Sequence, residues 1–286
     1  MNIAIGSRKS FLHYYGDDLY KKCKEFGFDA IDCRMLTDTT SEIYSLSEKE
    51  IIALHKKERA LADKAGVELV QTHAPFGGQP RDVTREEREK HLTWMKRSLR
   101  CSSLLGVKLW VLHPLTPMGC SDLITGGVEE TREINLDVFS KLLPVAKECG
   151  ITICLENMPW PEFSISSPDE IHAMVDTVGD EHFKMCLDTG HNNIHSKGVS
   201  AGDQVRAHRE VLRAIHVHDN NGIHDQHRFP YNGLVEWEDF GRALREIDFA
   251  GPFTYECAPS PRLPLYFFEA QLRMQRELAD HILGNR

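Results

Sequence analysis

Eight short apolar segments alternate with longer, charge-rich segments along this 286-residue chain. Each apolar segment has the composition of a buried β-strand, and the segments between them repeat apolar residues at helical spacing. Strands that alternate with helices form parallel sheets, and eight such units are the number that closes a barrel. The predicted strands are residues 2–6, 30–35, 69–74, 108–113, 152–157, 184–188, 214–219 and 253–257.

We therefore predict an α/β protein with a single (β/α)8 TIM barrel that occupies residues 1–286 as one domain. An open, doubly wound sheet is the alternative. The glycine-rich fingerprint of dinucleotide-binding sheets does not follow the first strand, where Ile5-Gly6-Ser7-Arg8 stands instead. No linker-like or low-complexity segment divides the chain, which favours a single domain.

Local signals mark several helix ends. Residues 47–65 begin with a capping sequence at Ser47 and stop before Gly66. Residues 84–105 carry apolar residues on one face, and Ser167-Pro168 begins another helix with proline in its first turn. These signals support the alternation of strands and helices.

Three of the predicted strands deliver a carboxylate at or near their C-terminal ends, namely Glu156, Asp188 and Glu256. The seventh strand delivers His216 and His218 instead. A desolvated carboxylate costs several kcal/mol unless it is paired or ligated. Because barrel active sites are built at the C-terminal ends of the strands, we expect these side chains to surround a shared divalent cation.

Further titratable residues stand at other strand ends and in the loop after the seventh strand: His73, His113, His191, Asp225 and His227. Alone, each such histidine is more often a hydrogen-bonded structural residue, and a single carboxylate often caps a helix or pairs with an arginine. Together they predict a metal site, and mixed nitrogen and oxygen ligands suit Mn²⁺, Zn²⁺, Co²⁺, Fe²⁺ or Mg²⁺. The cysteines in or beside these strands are interpreted as packing residues: Cys154, Cys186 and Cys257.

The composition limits the class of protein. The net charge of −9 provides no bulk basic field for a phosphate backbone, so nucleic acid is an unfavoured partner. We find no signal peptide, no apolar run long enough to cross a membrane and no paired-cysteine motif, so we expect a cytoplasmic protein with free thiols and no membrane partner. A homo-oligomer stays open.

The ordered motifs at the strand ends resemble those of the xylose-isomerase-like barrel superfamily. They are Thr72-His73-Ala-Pro-Phe, Leu155-Glu156-Asn157, Leu187-Asp188-Thr-Gly-His191, His216-Val-His-Asp219, Asp225-Gln-His227 and Tyr255-Glu256. This superfamily contains sugar and sugar-phosphate isomerases and epimerases, and also apurinic-site DNA endonucleases. The resemblance extends over essentially the whole chain, and the Asp188 and His216 motifs are its most specific parts.

In the isomerase and epimerase branch, the resemblance implies one divalent cation (Mn, Co, Mg or Zn) held by Glu156, Asp188, His216 and Glu256. In the endonuclease branch, five more residues join these four to hold three zinc ions: His73, His113, His191, Asp225 and His227. All nine positions are filled, so the ligand set alone does not separate the two branches.

The isomerase reading implies proton transfer beside a carbonyl of a sugar, through a metal-stabilised enediolate. Glu156 and Glu256 would be the catalytic bases, acting on opposite faces of the substrate. By resemblance, His191 would donate to a substrate oxygen and Glu162 would contact the substrate. His218 is another candidate substrate contact. Trp160 could form an apolar wall with Phe76 and Phe163, and rim packing is the alternative for these three residues. Arg228 could also contact the substrate, and an ordinary surface arginine is the alternative.

Departures from the family patterns bear on the choice between the isomerase and epimerase branch and the endonuclease branch. Ketose 3-epimerases carry an arginine six residues after the ligand histidine, where this chain has Gly222. The endonucleases typically carry glycine and serine where Leu115-Thr116 stands here, and no loop carries the clustered basic residues of a DNA binder. We therefore favour a metal-dependent carbohydrate isomerase or epimerase over a trinuclear-zinc endonuclease. A barrel that binds a sugar or metal without turnover is a second alternative.

Overall fold

The computed structural model describes residues 1–6, 8–76, 82, 84–115 and 127–285, so Ser7 and Thr116 of the motifs above lie outside the described residues. All eight predicted strands are present, and they form one closed barrel of parallel strands in sequential order. The strands are β1 Ile3–Ile5, β2 Ala30–Asp32, β3 Glu68–His73, β4 Leu109–Leu112, β5 Thr152–Glu156, β6 Phe183–Asp188, β7 Leu212–Val217 and β8 Phe253–Tyr255.

The first and last strands close the barrel. β1 pairs with β8 in parallel, with Ala4 opposite Thr254 and Ile5 opposite Tyr255. The predicted (β/α)8 barrel is therefore confirmed, and the open-sheet alternative is excluded. All strand C-termini meet at one mouth, which places the predicted site residues on the same side of the molecule.

Helices follow the strands around the outside. The α-helices are α1 Arg8–Tyr15, α2 Leu19–Glu25, α3 Glu48–Ala65, α4 Arg85–Leu104, α5 Gly127–Cys149, α6 Pro168–Val178, α7 Thr189–His195, α8 Ala201–Ala207, α9 Trp237–Glu246 and α10 Leu265–Ile282, and short 3-10 helices span Gly16–Asp18 and Glu42–Ser45. None of the helices in the described part of the chain is long and apolar enough to cross a membrane.

Side-chain capping begins three of the longer helices. Ser47, Thr84 and Ser167 each accept a hydrogen bond from the backbone N–H three residues later, and the glutamate at that position accepts one in return. This capping box satisfies N–H groups that have no partner inside the helix. At its other end α3 stops at Gly66, which has the left-handed φ of +66° that glycine adopts at low cost.

Alternating side chains divide each strand into an outer and an inner face. In β5, Ile153 and Leu155 belong to the main core between barrel and helices. Each fully buried apolar side chain of this kind contributes about 1.5–3 kcal/mol. The inner face carries Cys154 and then Glu156, so the strand ends by directing a carboxylate into the barrel mouth.

The cysteines of the inner face pack as small apolar residues. Cys154 and Cys186 form a buried cluster with Val111 and Ala214 in the barrel interior. Burial, followed by the charge of Glu156, raises the pKa of the Cys186 thiol well above its ordinary value. The thiol is therefore protonated in the metal-free protein, and Cys186 Sγ lies within 4.8 Å of ligand atoms of Glu156 and His216.

Candidate active site and metal centre

Four of the predicted metal ligands lie together at the barrel mouth. Glu156 ends β5, Asp188 ends β6, His216 lies one residue before the end of β7, and Glu256 follows β8. One ligand atom from each residue falls within 4.8 Å of all the others. Glu156, Asp188 and His216 are fully buried, and the side chain of Glu256 is 10% exposed.

The atoms of this cluster are arranged as a cation would require. His216 Nδ1 lies 2.9 Å from Glu156 Oε1 and 2.8 Å from Glu256 Oε2. Asp188 Oδ2, by contrast, is buried and makes no hydrogen bond with any described residue. A buried oxygen without a partner is costly, so this one is explained by a cation that it would bind. The residues therefore fit a divalent metal.

Asp188 is held in place by its neighbours along the chain and across the sheet. Its Oδ1 accepts a hydrogen bond of 2.6 Å from the backbone N–H of His191, which caps α7. The side chain of Asn157 bonds both backbone groups of Asp188, as acceptor from its N–H and donor to its carbonyl. One carboxylate oxygen is thus used for structure and Oδ2 remains for a ligand.

Several histidines have their tautomer fixed by the backbone. His73, His191 and His227 each place Nδ1 within 2.8–2.9 Å of a carbonyl oxygen, which only accepts a hydrogen bond. Nδ1 therefore carries a proton whether or not the ring is charged, and Nε2 is directed at a carboxylate, 3.2–3.4 Å away. Metal-binding histidines are oriented in this way by their second nitrogen. His73 contacts the carbonyl of Ala74 and faces the carboxylate of Glu156. His191 contacts the carbonyl of Asn157, His227 contacts the carbonyl of Glu256, and both rings face the carboxylate of Asp225.

The remaining predicted ligands form two further groups of metal-binding type beside the first. Within each group, ligand atoms again lie within 4.8 Å of one another. One consists of His73, His113 and Glu156, and the other of His191, His218, Asp225 and His227. All nine predicted ligand positions thus converge, with His218 as a tenth residue and Glu156 shared between groups.

The charges of the two glutamates are set by their surroundings. Burial raises the pKa of Glu156, but the charge of His216 and hydrogen bonds from His113 and His216 bring it well below its ordinary value. Burial also raises the pKa of Glu256, and the charges of Arg34 and His216 bring it below its ordinary value. Both carboxylates are therefore ionised at neutral pH and able to accept a proton.

The imidazoles differ in charge. Burial lowers the pKa of His73 to about 4, so this ring is neutral at neutral pH. Burial also lowers the pKa of His216, but the charges of Glu156 and Glu256 raise it well above its ordinary value. The carboxylates of Glu156 and Glu256 therefore favour a proton on His216 when no metal is bound, and a metal would displace that proton.

A cavity of about 370 Å³ opens over the cluster. This is the size range of small-molecule sites. Its wall is formed by residues of both polar and apolar type: Arg34, His73, Phe76, Asp82, His91, Leu112, His113, Leu115, Met158, Trp160, His191, Asp225, His227 and Glu256 among them. Of the predicted apolar wall, Phe76 and Trp160 line the cavity, while Phe163 packs edge-on against Trp160 with ring centroids 5.6 Å apart.

Two predicted substrate contacts lie elsewhere. Glu162 is exposed and is not among the described residues that line the cavity. Arg228 is exposed too, and its guanidinium donates to the backbone carbonyl of Asn232. Its backbone pairs with that of Asp219, and Arg228 is not among the described residues that line the cavity. Neither residue reaches the cluster in this structure.

Asp219 organises that loop. Its carboxylate accepts hydrogen bonds from the backbone N–H groups of Gly233 and Val235 and from the indole N–H of Trp237. Asp219, three residues after the predicted ligand His216, is therefore structural here, since it fixes the loop that follows β7.

Sequence reasoning missed a polar group at the second strand. β2 ends at Asp32, and Arg34 follows it with its guanidinium against Glu256. Gln71 of β3 contacts both Asp32 and His216. The signal was present, because Asp32 is one more carboxylate at the end of a buried strand.

The fold and the site define a TIM barrel with a cluster of side chains that could hold a metal ion at the C-terminal ends of its strands. The chain belongs to the xylose isomerase-like TIM barrel family, whose model matches residues 20–278.

Curated relatives include both branches anticipated from the motifs. The chain is 26% identical to an uncharacterized protein of Methanocaldococcus jannaschii over 82% of its length and 77% of that protein. It is also 26% identical to the D-psicose 3-epimerase of Enterocloster bolteae, over 82% of this chain and 74% of that enzyme. A probable endonuclease 4 of Mycoplasmopsis agalactiae is 22% identical over 72% of this chain and 74% of that protein.

Solved structures share the fold over nearly the full length. D-psicose 3-epimerase in the presence of D-fructose superposes with a TM-score of 0.77 at 20% identity, covering 99% of this chain and 100% of the other. The IOLI protein with a bound zinc atom has a TM-score of 0.73 at 18% identity, covering 100% and 99%. At such identities these likenesses establish the fold.

Proposed function

We propose that this protein is a divalent-metal-dependent isomerase or epimerase of a sugar or sugar derivative. The observation that carries the proposal is the position of Glu156 and Glu256. Both are ionised, both belong to the Asp188 and His216 ligand cluster, and Glu256 lines a cavity of small-molecule size. The sugar epimerases among the relatives agree with this chemistry.

The chemistry required is removal of a proton from carbon beside a carbonyl. Glu156, Asp188, His216 and Glu256 would hold a divalent cation, which would supply Lewis-acid stabilisation of the negative charge that develops on the substrate. Glu156 and Glu256 come from β5 and β8, which are separated by two strands around the barrel. They therefore approach a bound substrate from different sides, so that one accepts a proton and the other returns one.

The surrounding side chains position the substrate. His191 is fixed by its Nδ1 contact with Asn157 and directs Nε2 towards the cavity, where it can hold a substrate oxygen. Phe76 and Trp160 provide apolar surface for the carbon face of a sugar ring or chain. His218 is buried beside Asp188, with Nε2 2.9 Å from Asp188 Oδ1, and is not among the described residues that line the cavity.

Deuterium uptake tests this function. The metal-loaded protein is incubated in D2O with a panel of free and phosphorylated ketoses, and substrate protons are followed by NMR. We expect loss of the signal from the proton beside the carbonyl with at least one sugar, and no loss after chelation of the metal. If no sugar exchanges under any metal (Mn, Co, Mg or Zn), the proposal is wrong.

A specific observation favours a second candidate, an apurinic-site endonuclease. The ten converging residues form three groups rather than one, two of which share Glu156, and three groups would suit three zinc ions. Against it, Arg34 is the single guanidinium or ammonium group among the described cavity residues, and it is paired with Asp32 and Glu256. Elemental analysis of dialysed protein separates the two, since about one metal per chain supports the isomerase and three zinc ions with cleavage of an abasic-site duplex support the nuclease.

A further inference from the structure

Arg34 is a largely buried arginine in the cavity wall that contacts two residues of the ligand cluster. It follows β2 by two residues, and its side chain is 17% exposed. Its Nε lies 2.5 Å from Asp32 Oδ2, Nη1 lies 2.5 Å from Glu256 Oε1, and Nη2 lies 3.3 Å from His216 Nε2. Each of the three guanidinium nitrogens thus has a separate protein partner.

These contacts divide the two oxygens of Glu256 between two tasks. Oε1 is taken by Arg34, while Oε2 lies 2.8 Å from Nδ1 of His216, another residue of the ligand cluster. Rotation of the carboxylate would break its pairing with Arg34. The guanidinium therefore keeps Oε2 directed at the place where the four ligand atoms meet.

His216 is held from the same side. Its Nδ1 edge faces the carboxylates of the cluster, and its Nε2 edge faces Arg34 and the amide of Gln71, which lies 2.9 Å away. The Gln71 amide also donates to Asp32 over 3.2 Å. The ring is therefore bracketed on both edges, and it has little freedom to turn away from the cluster.

The backbone supports this polar group. Barrel interiors are usually filled by branched apolar side chains, yet Asp32, Gln71 and Thr254 are all fully buried here. The pairing of β2 with β3 shifts register between Ile31 and Asp32. Such irregularities re-aim side chains and are common beside functional sites. The desolvation of a buried ion pair can cost as much free energy as the attraction within the pair returns, so stability alone does not account for the pairing of Arg34.

We propose that Arg34 is a positioning residue for the metal centre. Anchored by Asp32, it holds Glu256 and His216 in the orientation in which they bind a cation. This inference rests on the proposed function in one respect, since it requires that the cluster binds a divalent metal. It concerns how the ligands are oriented and is independent of the sugar on which the enzyme acts.

The test measures metal binding rather than turnover. Mn²⁺ affinity of the metal-free protein is determined by titration calorimetry, and Co²⁺ bound at the site is examined by visible absorption. Arg34→Met removes the guanidinium but keeps much of the side-chain volume. We expect Mn²⁺ affinity to fall about 10- to 100-fold, the usual effect of losing a partner that orients a ligand, with a changed Co²⁺ spectrum.

A matched control is available in Arg8. It is buried to a similar degree, with 15% of its side chain exposed, and its carboxylate partner Glu58 lies on α3 outside the barrel. Arg8→Met also breaks a buried ion pair, so it reproduces the cost to stability. It should leave the Mn²⁺ affinity and the Co²⁺ spectrum unchanged.

A second variant keeps the test decisive. Arg34→Lys retains the charge but reaches fewer of the three partners, so we expect an intermediate loss of affinity. If Arg34→Met does not fold, the lysine variant decides, and wild-type affinity and spectrum in that variant overturn the proposal. Wild-type behaviour of a folded Arg34→Met overturns it too, while the proposed function stands. If the wild-type protein itself binds no divalent metal, the proposed function fails together with the role of Arg34.

Discussion

The imidazole ring of His218 stacks on that of His227, with ring centroids 4.1 Å apart and an angle of 15° between the planes. The ring of His218 also packs against Gly190 in α7, where an added Cβ would overlap the atoms of that ring. His218 Nε2 lies 2.9 Å from Asp188 Oδ1, although neither ring nitrogen has a hydrogen-bond partner within the described chain. The absence of a side chain at residue 190 therefore makes room for a histidine of the site.

Replacement of Gly190 should destabilise the fold because a side chain at this position would collide with His218. We expect Gly190→Ala to lower the free energy of unfolding by about 1–3 kcal/mol, the usual cost of overpacking, as measured by urea denaturation. The same change in a His218→Ala background should cost little, because the ring that the new methyl group would meet is gone. Equal costs in the two backgrounds would show that the contact with His218 is not the cause.

The two glutamates should be essential for turnover and dispensable for folding. Glu156→Gln and Glu256→Gln are near-isosteric, and we expect each to reduce the rate of deuterium exchange by about 10²- to 10⁴-fold, the usual contribution of a general base. Far-UV circular dichroism should be unchanged. Glu210→Gln is a suitable control, since that side chain is 79% exposed and should leave the rate unaffected. Wild-type turnover in either site variant would rule out the two-base scheme.

Replacement of Asp188 by asparagine should weaken metal binding but leave the cap of α7 in place. In Asp188→Asn the amide oxygen can still accept from the N–H of His191, so α7 keeps its first turn. The charge that a cation requires is lost, and we expect the metal retained after dialysis to fall at least about 10-fold. Asp203→Asn, at a side chain 62% exposed in α8, provides the control. Unchanged metal content in Asp188→Asn would remove this residue from the ligand set.

The fold could be predicted from the sequence because its signals are local. Strand composition, the capping boxes at Ser47 and Ser167, and the stop at Gly66 each depend on a few neighbouring residues. The convergence of the strand ends then follows from barrel topology. The second strand shows the limit, since residues 30–35 were expected and the strand ends at Asp32, where the register with β3 shifts.

Loop residues could not be placed in this way. The direction of Arg228 depends on the pairing of its backbone with Asp219, and Asp219 is itself fixed by groups 14 to 18 residues further along. Glu162 lies in a loop whose course the local sequence does not dictate. Arg34 was missed for another reason: its partners Glu256 and His216 are 222 and 182 residues away, and only the closed barrel brings them together.

The stability of the metal-free protein should decrease as the pH rises above neutrality. Burial lowers the pKa of His227, but hydrogen bonding to Asp225 outweighs this effect and raises it to about 9. Burial likewise lowers the pKa of His191, and the charges of Asp188 and Asp225 raise it to about 10. A histidine in the unfolded chain titrates near pH ~6.5. The stabilisation is therefore complete below that pH and is lost as the pH rises through 9 to 10.

Urea denaturation of chelator-treated protein between pH 6 and 10 measures this decrease. Asp225→Asn removes the carboxylate that both rings face, so its stability should depend less steeply on pH over the same interval. Addition of metal should also flatten the profile, because metal binding needs deprotonated imidazoles and gains as protons are released. If metal-free wild type and Asp225→Asn show the same pH dependence, Asp225 is not what keeps the two histidines charged.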